Sequence, residues 1–284
     1  MSYENFKPAI WSQFIQRELE KKCKLVADCW KQFEGEVKHA KEVKILGVGS
    51  PTIGTYDGTS IGTPEAVETS DVMLKIDQAK FFNFMVDDVD RAQSVPGLME
   101  TLIKEATHKM AVTRDERVAK LAMLALDTGA GEYYNDKVIS NSEVVKVGTE
   151  KAAKNAIDAA LLALRENDVD IDDNVVIEVA PFFYQLLKND LADLKTDNDE
   201  LIRKGVVGYY DGAEVKLCNT IYKDDSGTYY NMIRTKKAIA FAGQIDSVEA
   251  YRPETLFSDA MKGLNVYGAK IIRPKELYVL KASK

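Results

Sequence analysis

Histidine is nearly missing: His39 and His108 are the only two in 284 residues. That inventory is too small for a zinc site built on a histidine cluster or for a histidine-dependent nucleophilic triad. Cysteine is scarce too, with Cys23, Cys29 and Cys218 making an odd count and no CxxC pair, so we expect reduced thiols in a cytosolic setting. No apolar run approaches the roughly 18 residues of a membrane span, and the opening MSYENFKPAIW has no secretory pattern. A basic surplus is absent as well. Lys and Arg number 38 against 45 Asp and Glu, and the net charge of -7 argues against a dedicated nucleic-acid reader. What is there, 45% hydrophobic and 29% charged residues, suits an ordered chain with one or two cores.

The stretch from Ser94 to Thr128 organises the rest. Leu98, Leu102, Ala106 and Met110 recur at a helical interval, and Met99, Ile103, Leu121, Leu124 and Ala125 widen the stripe. Lys104, Glu105, Arg114, Glu116 and Lys120 fall mostly outside it. The pattern predicts one long helix, capped by Ser94 and ended by Gly129 and Gly131, reaching roughly 45 to 50 Å. A helix of that length implies a flat or elongated molecule. A kink near Thr113 to Glu116, where charges interrupt the stripe, is the alternative.

Ahead of it, AIWSQFIQRELEKKCKLVADCW reads as an amphipathic helix opened by Pro8, either a first core helix or an arm lying on a neighbour. EVKILGV reads as a strand, and GVGSPTIGTYDGTSIG carries five of the 17 glycines, which predicts an exposed loop. It is not a dinucleotide fingerprint, because Pro51 follows almost at once, Thr52 stands where the third glycine should be, and no helix opens behind it. The return limb alternates in Val72, Leu74 and Ile76 and again in Phe82, Phe84 and Val86, so two strands are expected. Asp87, Asp88 and Asp90 read as a solvated turn before the long helix.

Beyond it, EVVKV suggests a short strand and TEKAAKNAIDAALLALR a second helix capped at Thr149. NDVDIDDN has alternate aspartates, but Asp173 and Val179 occupy the positions where a calcium loop needs glycine and glutamate. VVIEVAP reads as a buried strand, PFFYQLLKNDLADL as a helix with Pro181 in its first turn, and Asp211 with Gly212 as a turn between short strands. KDDSGTYY is a further turn. In the tail we expect strands at AIAFA, SVEAYR, GAKIIRP and LYVL with a short helix around ETLFSDAMKG, and the strands returning to pack beside the long helix.

This order of parts, with IWSQFIQRELEK, LKIDQAKFFNFMVDDVDRAQS and AIAFAGQIDSVEAYRPETLFSDAMKGLNVYGAKIIRP, resembles the major capsid proteins of tailed bacteriophages, whose fold is shared with encapsulins and the herpesvirus capsid floor. The resemblance implies an α+β fold with an N-terminal arm at about 1 to 42 and an extended β-hairpin loop with its return strand at 43 to 92. A peripheral domain with the long spine helix would span 93 to 147 and 235 to 284, around an axial α/β domain at 148 to 234. It implies a structural, non-enzymatic protein without cofactor or metal, self-assembled as hexamers and pentamers into an icosahedral shell around double-stranded DNA. A separate scaffolding protein, a portal protein and a decoration protein would be its partners, with only weak non-specific contact to the DNA and none to a membrane. The place would be the virion capsid, after assembly in the host cytoplasm. Candidate inter-subunit contacts are Trp11 and Phe14 in the arm, Gly54, Tyr56 and Gly58 at the loop tip, and Tyr251 and Arg252 before the last expected helix. Some relatives crosslink through a loop lysine; this chain has none between Lys44 and Lys75, so noncovalent contacts are expected.

Physics points the same way. A compact chain of 31.7 kDa exposes about 12,000 Å², and an arm and flap that fold back on nothing would exceed that. Two other readings stand beside this one: an encapsulin-like compartment packaging a cargo enzyme, and a metal-dependent α/β enzyme using Asp87 to Asp90 or Asp168 to Asp173.

Overall fold

A computed structural model describes residues 24–33, 42–48, 53, 69–87, 98–127, 138–146, 151–169, 175–192, 208–255 and 258–284. Along the chain the elements are β1 (Glu42–Val48), β2 (Thr69–Lys75), β3 (Gln78–Asp87), α1 (Leu98–Asp127), β4 (Ile139–Ser140), β5 (Val145–Lys146) and α2 (Ala152–Glu166). There follow β6 (Val175–Val179), α3 (Pro181–Ala192), β7 (Tyr209–Tyr210), β8 (Ala213–Leu217), β9 (Thr228–Thr235), β10 (Ile239–Tyr251), β11 (Ser258–Ile271) and β12 (Leu277–Ser283).

Three sheets divide the strands. The hairpin β1–β2 stands as a pair, β10–β11–β3 form an antiparallel sheet, and seven strands lie in the order β4-β12-β9-β6-β8-β7 with β5 also on β12. Helix α1 is the expected spine: 30 residues, about 45 Å, unbroken through Thr113 to Glu116. Its buried side includes Ile103, Met110, Val118 and Leu121, while Lys104, Glu105, Glu116 and Lys120 are exposed. Arg114 breaks the expectation. It is buried, its guanidinium 4.6 Å from the ring centre of Phe241, and the missing side chain of Gly243 makes room for it: a Cβ there would lie 2.1 Å from Arg114 Nη2. An arginine can lie inside a stripe because an aromatic face accepts its charge.

Alternation along the strands sets the layers. In the seven-stranded sheet Val175, Ile177, Val179, Ile233, Tyr278 and Leu280 turn to one core with α2 and α3. Met232, Leu277 and Val279 turn the other way, into a core shared with α1 and the β10–β11–β3 sheet. A strand covered on both faces is apolar at nearly every position, which is why VVIEVAP shows no alternation; every residue of β6 is buried, Glu178 included. The third core holds the root of the β1–β2 hairpin, Val43, Ile45, Val72, Leu74 and Ile76, against Ala240, Ala242 and Ile272.

Several expectations need correction. The helix expected around ETLFSDAMKG is not formed from Ser258 onward: there the chain starts β11, 14 residues long, ten of which pair with β3. The helical spacing there is accidental, because a strand buried on one face and spanning two packed layers wins over local propensity. AIAFA and SVEAYR are one strand, β10, with a register shift between Ile245 and Ser247. The first helix does not continue to Trp30, since residues 26–28 form a single 3-10 turn and Cys29 is extended. Thr149, expected to cap α2, lies outside the described residues. Lys151 sits at the cap position in a left-handed conformation, and the Asp190 carboxylate of α3 accepts from the amides of Ala153 and Lys154, both at 3.1 Å. Other expectations are met: Asp211 and Gly212, at φ of 48° and 84°, make the tight β7–β8 turn, and Gly227 at φ 88° closes the turn before β9. Of the C-terminal strands, β10 and β11 return beside α1, whereas β12 enters the seven-stranded sheet.

Gly268 carries a further consequence. A Cβ there would lie 2.1 Å from the carbonyl oxygen of Lys75, where only backbone could yield. Gly268→Ala should destabilise the chain by about 1–3 kcal/mol, read as a lower urea midpoint, whereas Gly208→Ala, with nothing within 4 Å, should change it little.

Candidate functional site

Of the expected contact residues, Trp11, Phe14, Gly54, Tyr56 and Gly58 lie outside the described residues. Tyr251 and Arg252 are described, both exposed, at and just past the end of β10. Antiparallel register puts Tyr251, Ala260 and Met85 in one cross-strand row, and Glu249, Lys262 and Asn83 in the next. The Tyr251 hydroxyl donates to Asn83 Oδ1 at 3.1 Å, and Lys262 Nζ lies 2.8 Å from Glu249 Oε2 and 5.3 Å from the centre of the Tyr251 ring. This outward face also carries Phe81. The inward face is different. Phe82 and Phe84 stack 5.8 Å apart and pack toward α1, and Gly263 leaves space for the Phe82 ring.

A second feature, unforeseen from the sequence, lies where residues 24–30 cross between the sheets. Arg234 of β9 and Glu178 of β6, both fully buried, form a two-pronged pair: Arg234 Nε donates to Oε2 at 2.9 Å and Nη2 to Oε1 at 2.7 Å. The remaining donors of Arg234 are aimed at this crossing segment, Nη1 to the carbonyl of Asp28 at 2.7 Å and Nη2 to that of Leu25 at 3.0 Å. From α1, the Asp115 carboxylate accepts from the amides of Lys24 and Val26 at 3.1 and 3.2 Å. From β8, Lys216 Nζ reaches both carboxylate oxygens of Asp28, at 2.8 and 2.7 Å. Trp30 then adds to β10, donating to the carbonyl of Ile239 at 2.8 Å and accepting from Phe241 at 3.0 Å.

Charge and burial oppose each other here. Burial pushes the Glu178 carboxyl up to about 7 against the pull of Arg234, and it raises Asp115 against the amides that hold it. Burial alone would lower Arg234, but the Glu178 carboxylate outweighs it and the guanidinium stays firmly charged. One signal of the cluster was legible: a glutamate in the middle of VVIEVAP and an arginine in NMIRT are charges inside apolar runs, and a buried charge needs a partner. Which partner could not be read.

An open cleft of about 720 Å³ lies beside this segment, lined by Lys24, His108, Asp115, Glu116, Lys120 and Lys223 among others. Asp115 is already engaged by backbone amides, and no nucleophile and base are paired in the cleft. Among the described residues no group of three His, Cys, Asp or Glu is placed to hold a metal ion. Asp88, Asp90 and Asp170 to Asp173 fall outside them.

No protein-family model and no curated protein matches the sequence. Solved structures do. The chain is similar to one from Mycobacterium phage Che8, at 26% identity and a TM-score of 0.74 over 91% of this chain and 90% of that one. It is similar also to the capsid structure of cyanophage P-SCSP1u, at 15% identity and a TM-score of 0.71 over 87% and 85% of the two chains. The chain has the phage major capsid protein fold. The crystal structure of a virus-like particle from Pyrococcus furiosus shares the same capsid fold at a TM-score of 0.55 and 12% identity, over 94% and 96% of the chains.

Two outcomes follow from the buried cluster. Arg234→Met takes away the charge that holds Glu178 down, so the carboxyl must take up a proton or stay unpaired in the interior, and the change should cost about 3–5 kcal/mol of stability, whereas the double change with Glu178→Met should recover most of it. Urea unfolding of the dispersed chain decides; a loss below about 1 kcal/mol for the single change would show that the pair does not hold this region. Separately, Cys29 and Cys218 are buried free thiols, the first pushed up to about 12 by burial and the second raised by the same cause. At pH 8 both remain protonated, so a thiol reagent should label neither until the chain is unfolded.

Proposed function

We propose that this chain is a major capsid protein whose copies assemble into an icosahedral shell enclosing double-stranded phage DNA. The observation that carries the reading is the fold: the chain matches one from Mycobacterium phage Che8 and a cyanophage capsid structure over about nine-tenths of both chains, at TM-scores of 0.74 and 0.71.

Within that reading, the spine helix with β10 and β11 forms the peripheral part at 93–147 and 235–284, and α2, α3 and the strands between them form the axial part at 148–234. The arm at 1–42 and the loop at 43–92 reach adjacent copies, with Trp11, Phe14, Gly54, Tyr56, Gly58, Tyr251 and Arg252 as contact residues. Hexamers and pentamers build the shell with a separate scaffolding protein and a portal protein, a decoration protein can bind outside, and the DNA touches the inner wall without specific recognition. Assembly takes place in the host cytoplasm and ends in the virion. A compartment that packages a cargo enzyme is the second reading, favoured only by the likeness to the Pyrococcus furiosus particle. Nothing in the geometry of the described residues favours the metal-dependent enzyme reading.

Negative-stain microscopy and sedimentation of the purified chain, with any assembly helper supplied, test this directly. Closed shells of uniform diameter are expected. A globular monomer of normal friction at every concentration would end the proposal, and shells filled with a protein cargo and free of nucleic acid would favour the compartment.

A further inference from the structure

We propose that the seam between α1 and the β10–β11–β3 sheet, around Tyr267, is a binding site for a small protonated oxyanion of the hydrogen phosphate class, held by Arg114, Arg117 and Asn265. The site belongs to the single chain, so it stands whether or not copies assemble into a shell.

Among the described residues, the buried side-chain polar atoms without a hydrogen-bond partner are Arg114 Nε, Arg117 Nε, and Nδ2 and Oδ1 of Asn265. All four belong to one layer. Arg114 lies over the rings of Phe241 and Tyr267, in the room left by Gly243. Arg117, about one turn further along α1, reaches Asp77 with Nη2 at 3.1 Å, and Asp77 immediately precedes Gln78, the β3 partner of Tyr267. Asn265 is two positions from Tyr267 on the same face of β11, and its partner on β10 is Ile245, two positions from Gly243. Asn265 is 2% exposed and Arg114 9%. More than nine in ten buried polar atoms of folded proteins have a partner, and one without a partner is costly, so a seam that gathers four of them is built to hold something.

The unpartnered atoms specify the ligand. Two Nε–H groups and an amide nitrogen need acceptors, the amide oxygen needs a donor, and exchanging the two ends of the amide changes neither count. Positive charge is in surplus. Arg234, equally deep, is answered by the Glu178 carboxylate, and Arg117 by Asp77, but no carboxylate of the described residues pairs with Arg114. Its neighbour Asp115 is occupied by the amides of Lys24 and Val26. The aromatic faces of Phe241 and Tyr267 soften the charge of Arg114 without accepting from its Nε. An oxyanion that keeps one proton meets every demand: its oxygens accept from the guanidinium groups and the amide nitrogen, and its O–H donates to the amide oxygen. Hydrogen phosphate does this. Sulfate and the phosphodiesters of nucleic acid carry no O–H at neutral pH and leave Asn265 Oδ1 unanswered.

Titration calorimetry of the full-length chain with inorganic phosphate, near neutral pH and at fixed ionic strength, tests the site. One saturable site per chain is expected, with sulfate and dimethyl phosphate at least ~10-fold weaker, the effect of one lost charge-assisted hydrogen bond. Asn265→Leu removes the amide and keeps both guanidinium groups, so it should weaken phosphate at least ~10-fold and bring it level with sulfate. Lys223→Gln, in the open cleft, should leave phosphate affinity unchanged. Should the Asn265 variant misfold, nuclear magnetic resonance of the dispersed, unaltered chain gives the answer: the Nε–H signals of Arg114 and Arg117 should move with phosphate and stay in place with sulfate. Absence of phosphate binding, sulfate bound as tightly as phosphate, full phosphate affinity in Asn265→Leu, or guanidinium signals indifferent to phosphate overturns the proposal.

Discussion

A single arginine joins the parts of this molecule. Arg234 spends two donors on Glu178 of a neighbouring strand and others on the carbonyls of Leu25 and Asp28, so the segment at 24–30 is held by the seven-stranded sheet from one side. Asp115 of the spine helix holds the same segment by its amides, and Trp30 passes it on to β10. Helix, large sheet and small sheet thus meet on seven residues of chain. An ion pair in a dry interior gains little net stability, since desolvation offsets most of the attraction. Its strength is geometric: the planar fork of an arginine fits one carboxylate and two carbonyls in one arrangement only.

Under the proposed function that fixed point matters. Subunits of a shell exchange surfaces with several neighbours, and each contact transmits position accurately only if the elements bearing it are rigidly related. The outward face of β10–β11–β3 and the helices of the large sheet are both built from strands that continue into this junction, since β9 leads directly into β10 and β11 into β12.

Much of the core was legible because periodicity survives packing. The spine helix, the helices 152–166 and 181–192, the buried strand 175–179 and the Asp211–Gly212 turn all follow from spacing, proline position or glycine φ requirements. The misreadings share a cause. At ETLFSDAMKG the sequence offers a helix and the neighbouring strands β3 and β10 offer a sheet, and long-range pairing over 14 residues outweighs the local preference. At Arg114 a charge interrupts an apolar stripe and yet is buried, because Phe241 and Tyr267 lie across from it and Gly243 makes way. Neither partner is near in sequence, so neither could be inferred.

The sequence by itself determined which segments are helix or strand where the pattern is long, which functional classes lack the residues they need, and, by resemblance, the capsid-protein fold. Each of these depends on local spacing or on inventory, and both are properties of a linear chain. Only the tertiary structure decided that Glu178, Arg234, Asp28, Asp115 and Lys216 converge on one short segment, and that Phe81, Met85 and Tyr251 share an uncovered face. Those facts depend on register between strands far apart in the chain, where a shift of one residue turns every side chain to the opposite side.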